Sequence, residues 1–154
     1  MGSYQVETLE DLKKLVGQEL AVTNYRLITQ EQVNQFATVG RDGQWIHTDV
    51  ERAKQESPYA GTIAHGFLEL ALISDFMNEA VTFATPLKMV LNYGLDRVRF
   101  PAPVLVGSKL RARVKLAELK DIPGGYQATW NVTMECEGAA KPSCVADWLI
   151  RYIA

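Results

Sequence analysis

The fold is decided by residues 65–80, which read HGFLELALISDFMNEA. Helical spacing places apolar side chains nearly all round this stretch; they are Phe67, Leu68, Leu70, Ala71, Leu72, Ile73, Phe76 and Met77. A helix with so little polar surface belongs in the centre of a fold, where other elements cover it. The stretch therefore predicts a buried central helix that needs a sheet against it.

The chain changes character after this helix. Residues 88–100, 109–119, 127–135 and 144–153 are rich in Val, Leu, Tyr and Trp and show partial alternation. Turn signals separate them: Pro101-Ala102-Pro103, Pro123-Gly124-Gly125 and residues 138–142. Four consecutive strands with short turns predict an antiparallel sheet. We therefore expect one α+β domain over residues 1–154.

The sequence before residue 65 is more mixed. Residues 8–16 predict a short helix, and residues 20–27 a strand. Thr29 followed by Gln32 is a capping-box pattern that opens a helix through residue 39. Residues 40–64 then predict mostly loop, with a short helix near 50–55 begun by Asp49. A long irregular segment inside a compact domain is typical of a functional site.

Composition excludes several classes of protein. The chain has 154 residues, 47% hydrophobic and 22% charged, with a formal net charge of −2. These values are those of globular proteins and not of disordered, collagenous or transmembrane chains. The residues before the first predicted helix contain no apolar run, so we expect no secretory leader. Without a basic face, we expect neither nucleic acid nor a membrane as a partner. Cys136 and Cys144 favour buried thiols over a disulfide, and we expect a cytoplasmic location.

The candidate chemistry lies in the predicted loop. Asp42 and His47 stand five residues apart, and a carboxylate and an imidazole so placed can hold one water between them. The chain has only two histidines, so imidazole chemistry must use His47 or His65. At the start of the buried helix, around Gly66, unpaired N–H groups predict an oxyanion site for a polarised carbonyl.

These residues occur in an order that resembles a known family. The order is Phe36-Ala37, Gly40-x-Asp42-x-x-x-x-His47, then Ile63-Ala64-His65-Gly66. It is similar to the hydratase motif of the MaoC-like, or (R)-specific enoyl-CoA hydratase, family. The variants at residues 42–47, 92–94 and 99–104 most resemble the nodulation protein N-like branch. The likeness runs from about residue 20 to 152 and implies a hot-dog fold, an antiparallel sheet wrapped around a long central helix.

The resemblance also implies a reaction and roles. Members of the family reversibly add water to trans-2-enoyl thioesters, giving (R)-3-hydroxyacyl thioesters. Asp42 and His47 would be the catalytic pair, the Gly66 N–H would hold the thioester oxygen, and Ser74 would have an orienting role. The implied substrate is an acyl-CoA or acyl-carrier-protein thioester, with no metal and no redox cofactor.

One part of the motif departs from the commonest family pattern. The family has Asn-Pro where Gln44-Trp45 stand here. An amide persists, so Gln44 is expected to position the Asp42 loop or the water by hydrogen bonding. The bulk of Trp45 could reshape the acyl pocket, which leaves the acyl chain length open.

Alternatives stand beside this interpretation. The same fold also serves thioesterases and non-catalytic proteins that bind acyl thioesters. We interpret His65 as a structural histidine that satisfies loop carbonyls, in preference to a second base. Arg97 and Arg99 share one face of a strand and are solvated charges or, as a second interpretation, a phosphate site.

We expect the chain to act as a homodimer. A small sheet around one helix leaves edge strands and one face exposed, and exposed edges favour association. Hot-dog proteins usually cover them by pairing two copies into one continuous sheet. Trp130 and Trp148 lie in predicted strands and are expected in the core or at an interface.

Overall fold

One antiparallel sheet packs against one helix of fifteen residues in the computed structural model, which describes residues 2–154. The strands are β1 (Tyr4–Val6), β2 (Glu19–Val22), β3 (Arg26–Leu27), β4 (Val81–Phe83), β5 (Met89–Arg99), β6 (Lys109–Ile122), β7 (Gly125–Cys136) and β8 (Cys144–Ile153). The helices are a 3-10 helix (Leu9–Leu15), α1 (Gln30–Gly40), α2 (Trp45–Thr48), α3 (Val50–Glu56) and α4 (Gly66–Ala80).

The main sheet has the order β2-β6-β7-β8-β5, with β3 also beside β6. The four predicted long strands all form, and their pairings are antiparallel. Their order differs from a simple meander, because β5 pairs with β8 at the far edge instead of with β6. Helix α4 contacts β2, β6 and β8. The sheet and its central helix are the hot-dog arrangement that the resemblance implied, which is confirmed.

The predicted strand at 20–27 is wrong as one element, because it forms two short strands on β6. The break has a physical cause at Thr23. Its N–H donates to the carbonyl of Ala112 at 2.9 Å, while its side-chain hydroxyl accepts from the Ala112 N–H, also at 2.9 Å. A side chain thus takes a place that a strand carbonyl would hold, and regular pairing resumes only at Arg26.

The capping box that predicts α1 is present in full. The Gln32 N–H donates to Thr29 Oγ1 at 3.2 Å, and the Thr29 N–H donates to Gln32 Oε1 at 2.9 Å. Two unpaired donors at the helix start are thereby satisfied. The helix ends at Gly40, and Arg41 turns the chain in the left-handed region at φ 54°. This turn delivers the chain to Asp42.

Residues 40–64 are less irregular than predicted. Asp49 caps α3 as expected, its side chain accepting from the Arg52 N–H at 3.0 Å. The prediction of loop is wrong at Trp45–Thr48, where a single helical turn forms. A four-residue helix is too short to show a hydrophobic period, so no sequence pattern signals it. The small parallel sheet of β1 with β4 escaped prediction for the same reason.

Helix α4 is buried on one side only within this chain. Its buried residues are Leu68, Glu69, Ile73, Phe76, Met77 and Ala80. In contrast, Ala71, Ser74 and Asp75 are exposed, and Phe67 keeps 72% of its surface accessible. The expectation of burial all round is therefore wrong for one copy of the chain. Strand β5, at the sheet edge, is likewise exposed along most of its length.

The core lies between α4 and the sheet. Trp130 and Trp148 are both buried, as expected, and Trp130 Nε1 donates to the hydroxyl of Tyr152 at 3.0 Å. Cys136 and Cys144 are free thiols, and burial raises their pKa values to about 11 and about 12. None of the helices within residues 2–154 is long and apolar enough to cross a membrane.

Candidate active site

A pocket of about 300 Å³ opens where the end of α1, helix α2 and the start of α4 meet. Its lining residues are Phe36, Gly40, Asp42, His47, His65, Gly66, Phe67 and Phe100. The structure thus brings together Asp42, His47 and Gly66, which the sequence analysis singled out. His65, which we expected to be structural, lines the same pocket together with three phenylalanine side chains.

Hydrogen bonds of the main chain and of one ring nitrogen hold His47 in place. The His47 N–H donates to the Gln44 carbonyl at 3.0 Å, and its carbonyl accepts from Gln30 Nε2 at 2.7 Å. Nδ1 lies 2.7 Å from the carbonyl oxygen of Ile63. A carbonyl only accepts, so Nδ1 carries the proton and Nε2 keeps its lone pair in the neutral ring. The side chain is buried, and its one basic atom is Nε2.

Asp42 lies at the mouth of the pocket. Its N–H donates to the Ala37 carbonyl at 3.0 Å, closing the turn that follows α1. Its side chain is 56% exposed, and Oδ2 lies 4.0 Å from Nε2 of His65. One polar atom each from Asp42, His47 and His65 lies within 4.8 Å of the others. A carboxylate and an imidazole whose polar atoms lie this close can bind one water between them.

His65 makes the contact with a loop carbonyl that the sequence predicts. Its Nε2 lies 2.9 Å from the main-chain oxygen of Asp42, and its side chain is only 3% exposed. The ring also stacks on that of His47, with centroids 3.8 Å apart and 24° between the planes. His65 therefore contacts both members of the proposed pair.

Gly66 is the first residue of α4. The carbonyl of His65 accepts from the N–H groups of Leu68 and Glu69, at 3.1 and 3.3 Å. Within residues 2–154, this leaves the Gly66 N–H without a main-chain acceptor. The positive end of the helix dipole adds to this donor. A Cβ on Gly66 would lie 2.9 Å from Cζ of Phe100, so a side chain there would require the Phe100 ring to shift.

Ser74 does not join this pocket. It is exposed and lines a second cavity of about 210 Å³ between α4 and strands β5 and β8. Ser74 follows Gly66 by eight residues, which is about 12 Å along a helix. The structure therefore does not bring Ser74 to the Asp42–His47 pair in one copy of the chain.

Gln44 contributes through its main chain. Its carbonyl accepts from the His47 N–H and, at 3.2 Å, from Thr48 Oγ1. Its side chain makes no capping hydrogen bond to α2 and does not line the pocket. Trp45 is also absent from the lining, and its ring lies under the guanidinium of Arg52 at 4.3 Å.

The two arginines of β5 lie elsewhere. Arg97 lines a separate depression with Asn131 and Asp147. The Arg99 guanidinium donates to the carbonyl of Val98 at 2.7 Å. Neither arginine lines the pocket that contains Asp42 and His47.

Sequence reasoning missed Glu69, a buried carboxyl on the first turn of α4. Its side chain is 2% exposed, and Oε1 has no hydrogen-bond partner within residues 2–154. Burial raises the pKa of Glu69 from 4.5 to about 7, while the Ser143 hydroxyl acts in the opposite direction. The signal in the sequence is a Glu between Leu68 and Leu70 in a strongly apolar helix.

Asp42, His47 and His65 are also residues of the types that bind divalent metals. However, two of the four ring nitrogens, Nδ1 of His47 and Nε2 of His65, already contact carbonyl oxygens. Nδ1 of His65 is buried. The accessible ligand atoms are then Nε2 of His47 and the carboxylate of Asp42, fewer than the three protein ligands of catalytic zinc sites. The donor set therefore fits acid–base chemistry better than metal binding.

Known proteins match this chain over most of its length. A family model described as "MaoC like domain" matches residues 11–135. The chain is 46% identical over 149 residues to 3-hydroxyacyl-thioester dehydratase Z of Mycobacterium tuberculosis, covering 96% of this chain and 97% of the relative. It is 41% identical to nodulation protein N of Rhizobium meliloti, covering 92% and 89%. Among solved structures, R-hydratase PhaJ1 of Pseudomonas aeruginosa has the same fold, with a TM-score of 0.72, 24% identity and coverage of 90% and 81%.

Proposed function

The chain belongs to the MaoC-like domain family, and we propose that it is an (R)-specific hydratase/dehydratase acting on trans-2-enoyl and (R)-3-hydroxyacyl thioesters. One observation carries the proposal. Asp42, His47 and Gly66 all line one pocket, and the Ile63 carbonyl engages Nδ1 of His47, so that Nε2 keeps the lone pair. Hydration of an enoyl thioester requires these three parts: a site for water, a base and a donor for the thioester oxygen.

The catalytic pair prepares the water. The water molecule is held between the Asp42 carboxylate and Nε2 of His47. As the oxygen attacks the β-carbon, one water proton passes to Nε2, and the pair returns a proton to the α-carbon. The sum is addition of H and OH across the double bond, and the same steps in reverse are dehydration. The Nδ1–H bond to the Ile63 carbonyl keeps Nε2 basic and fixes the plane of the ring.

The start of α4 stabilises the negative charge that develops. When water adds to the β-carbon, electron density moves through the α-carbon to the thioester oxygen. The Gly66 N–H would donate to that oxygen, which gains charge in the transition state. Phe100 covers this helix start, so the donor works beside an apolar wall instead of bulk water.

The acyl group would lie among the aromatic side chains of the pocket. Phe36, Phe67 and Phe100 supply its apolar walls. Phe67 keeps most of its surface accessible, so it can contact a ligand without unpacking the core. We propose either coenzyme A or a carrier protein as the thiol carrier, with no metal and no redox cofactor in the reaction.

We further propose that the working unit is a homodimer joined along β5. Within residues 2–154 this strand pairs only with β8, and it presents exposed apolar side chains, namely Met89, Val90, Leu91, Tyr93 and Leu95. An unpaired apolar edge is a site where another strand can add. A second copy paired there would cover β5 and extend the sheet across both chains.

A crotonyl-CoA assay tests the proposed activity. Hydration removes the absorbance of the conjugated thioester without releasing thiol, which is the expected result. Release of free thiol would instead show a thioesterase. Binding without either change would show a non-catalytic acyl-thioester protein, and each of these outcomes would overturn the proposal.

A further inference from the structure

We infer that His65 is a positioning residue of this site, whose side chain fixes Asp42 and His47 relative to each other and to Gly66. The inference rests on the proposed function, since it concerns the same pocket. It goes beyond that function by assigning His65 a role through two other residues instead of one in contact with the substrate.

The first contact fixes Asp42. The Nε2–H of His65 donates to the main-chain oxygen of Asp42 at 2.9 Å. Asp42 follows Arg41, which is in the left-handed region, and precedes Gly43, whose freedom leaves this turn adaptable. A buried hydrogen bond to its carbonyl holds the peptide plane and thus the direction in which the carboxylate leaves the chain. The donor belongs to a side chain that is itself almost fully buried.

The second contact fixes His47. The rings of His65 and His47 stack 3.8 Å apart, and Phe36 contacts His65 with ring centroids at 5.0 Å and 56°. Rotation of the His47 ring out of its plane would collide with His65. Together with the Ile63 carbonyl on Nδ1, the stack leaves the base one orientation.

The backbone of His65 completes the link. His65 is the N-cap of α4, and its carbonyl accepts hydrogen bonds from the N–H groups of Leu68 and Glu69. This residue therefore sets where the helix begins. The next residue is Gly66, the proposed oxyanion donor. One residue therefore connects the carboxylate, the base and the donor through its ring and its main chain.

The ring nitrogens of His65 are not available for proton transfer. Nε2 is engaged with Asp42, and Nδ1 is buried with no hydrogen-bond partner within residues 2–154. A substrate in the pocket would meet His47 and Asp42 and not these nitrogens. His65 consequently acts through its neighbours.

Three substitutions separate the hydrogen bond from simple packing. In His65→Gln, the side-chain amide places an N–H near the position of Nε2 but the stacked ring is lost, so we expect kcat to fall less than in variants that lose both contacts. His65→Asn is too short to reach Asp42, and His65→Leu has no donor. Both variants should lower kcat by about 10²-fold with little change in KM, as expected when catalytic groups are misplaced by about 1 Å. Glu69→Gln, a buried change one turn along α4, is the matched control and should keep the wild-type kcat.

The outcomes decide the inference separately from the proposed function. Equal kcat in wild type, His65→Asn and His65→Leu would overturn the positioning role, as would a folded His65→Gln as slow as His65→Leu. A wild type without hydratase activity would overturn the proposed function instead. In that case ¹⁵N NMR still tests the inference, which predicts an Nε2–H tautomer for His65. It also predicts a shifted Gly43 amide signal in His65→Leu, because the Asp42 carbonyl and the Gly43 N–H form one peptide group. An Nδ1–H tautomer or an unchanged signal would refute it.

Discussion

Nδ1 of His47 lies 2.7 Å from the main-chain oxygen of Ile63. This one relationship assigns the two ring nitrogens, because the carbonyl can only accept a hydrogen bond. Nδ1 is the donor, and Nε2 is the atom that keeps its lone pair and that we propose as the base. Ile63 lies three residues before the start of α4, so the same segment orients the proposed base and places the proposed oxyanion donor.

The relationship predicts the effect of replacing His47 by Asn. The Asn side-chain N–H replaces the Nδ1 donor to Ile63, but nothing replaces the Nε2 lone pair. We expect His47→Asn to fold with a Tm near that of wild type and to lose kcat by about 10²- to 10⁴-fold, the usual contribution of a general base. Thermal unfolding and crotonyl-CoA hydration measure the two effects. A variant with wild-type kcat would show that His47 is not the base.

A side chain on Gly66 would displace the ring of Phe100. The methyl group in Gly66→Ala would meet the Phe100 ring at 2.9 Å, although alanine favours helices over glycine. We expect a loss of unfolding free energy of about 1–3 kcal/mol and a lower kcat. The double variant Gly66→Ala/Phe100→Leu removes the clash and should recover much of the stability in urea denaturation.

Gly43→Ala is the control for this change. A Cβ on Gly43 meets nothing within 4 Å, so its stability should stay near that of wild type. If Gly66→Ala is as stable as Gly43→Ala, the close packing of Phe100 on the helix start is contradicted.

Buried Glu69 predicts a pH dependence of stability. Its folded-state pKa is about 7 and its ordinary value 4.5, so the folded chain holds a proton that the unfolded chain releases. The stabilisation is full below pH 4.5 and is lost as pH rises through about 7. At about 1.4 kcal/mol per pH unit, the loss amounts to about 3 kcal/mol.

Urea denaturation of wild type and Glu69→Gln at pH 5 and pH 8 measures this effect. The amide cannot ionise, so Glu69→Gln should gain stability relative to wild type at pH 8 by about 3 kcal/mol. The same change at exposed Glu31, on the first turn of α1, is the surface control. A difference between wild type and Glu69→Gln that is the same at both pH values would contradict the prediction.

The proposed dimer predicts the effect of a charge on β5. Val90 is exposed on the sheet edge, and Val90→Lys would place a charge in the apolar surface between two copies. Light scattering should give twice the 17.2 kDa chain mass for wild type and one chain mass for Val90→Lys. Val39→Lys, at an 85% exposed site near the end of α1, should remain dimeric. A wild type of 17.2 kDa would refute the dimer.

The parts of the fold that could be predicted have local causes. The capping box of Thr29 and Gln32 and the N-cap at Asp49 act within one turn of a helix, so they are readable in sequence. The long strands are similarly marked by alternation and turn residues. The pairing of β5 with β8 has no local signal in the sequence. It joins strands that are far apart along the chain and depends on how the whole sheet assembles.

The residues of the site likewise separate into those that a local motif predicts and those that depend on tertiary structure. Motif order identified Asp42, His47 and Gly66, which the structure brings into one pocket. The same order named Ser74, but a helix of this length carries it to another cavity. The main-chain carbonyl of Gln44 accepts two hydrogen bonds, which no side-chain pattern signals, and the expected role of its side chain stays a prediction. The contact of His65 with Asp42 spans 23 residues and depends on tertiary structure.

The most direct test compares wild type with Asp42→Asn in crotonyl-CoA hydration, with free thiol followed in the same samples. The proposed pair predicts loss of the enoyl-thioester absorbance by wild type without thiol release. It also predicts a rate at least about 10²-fold lower for a folded Asp42→Asn, whose amide no longer supplies the carboxylate that holds the water. A wild type that leaves the absorbance unchanged, or an Asp42→Asn variant as fast as wild type, would contradict the account.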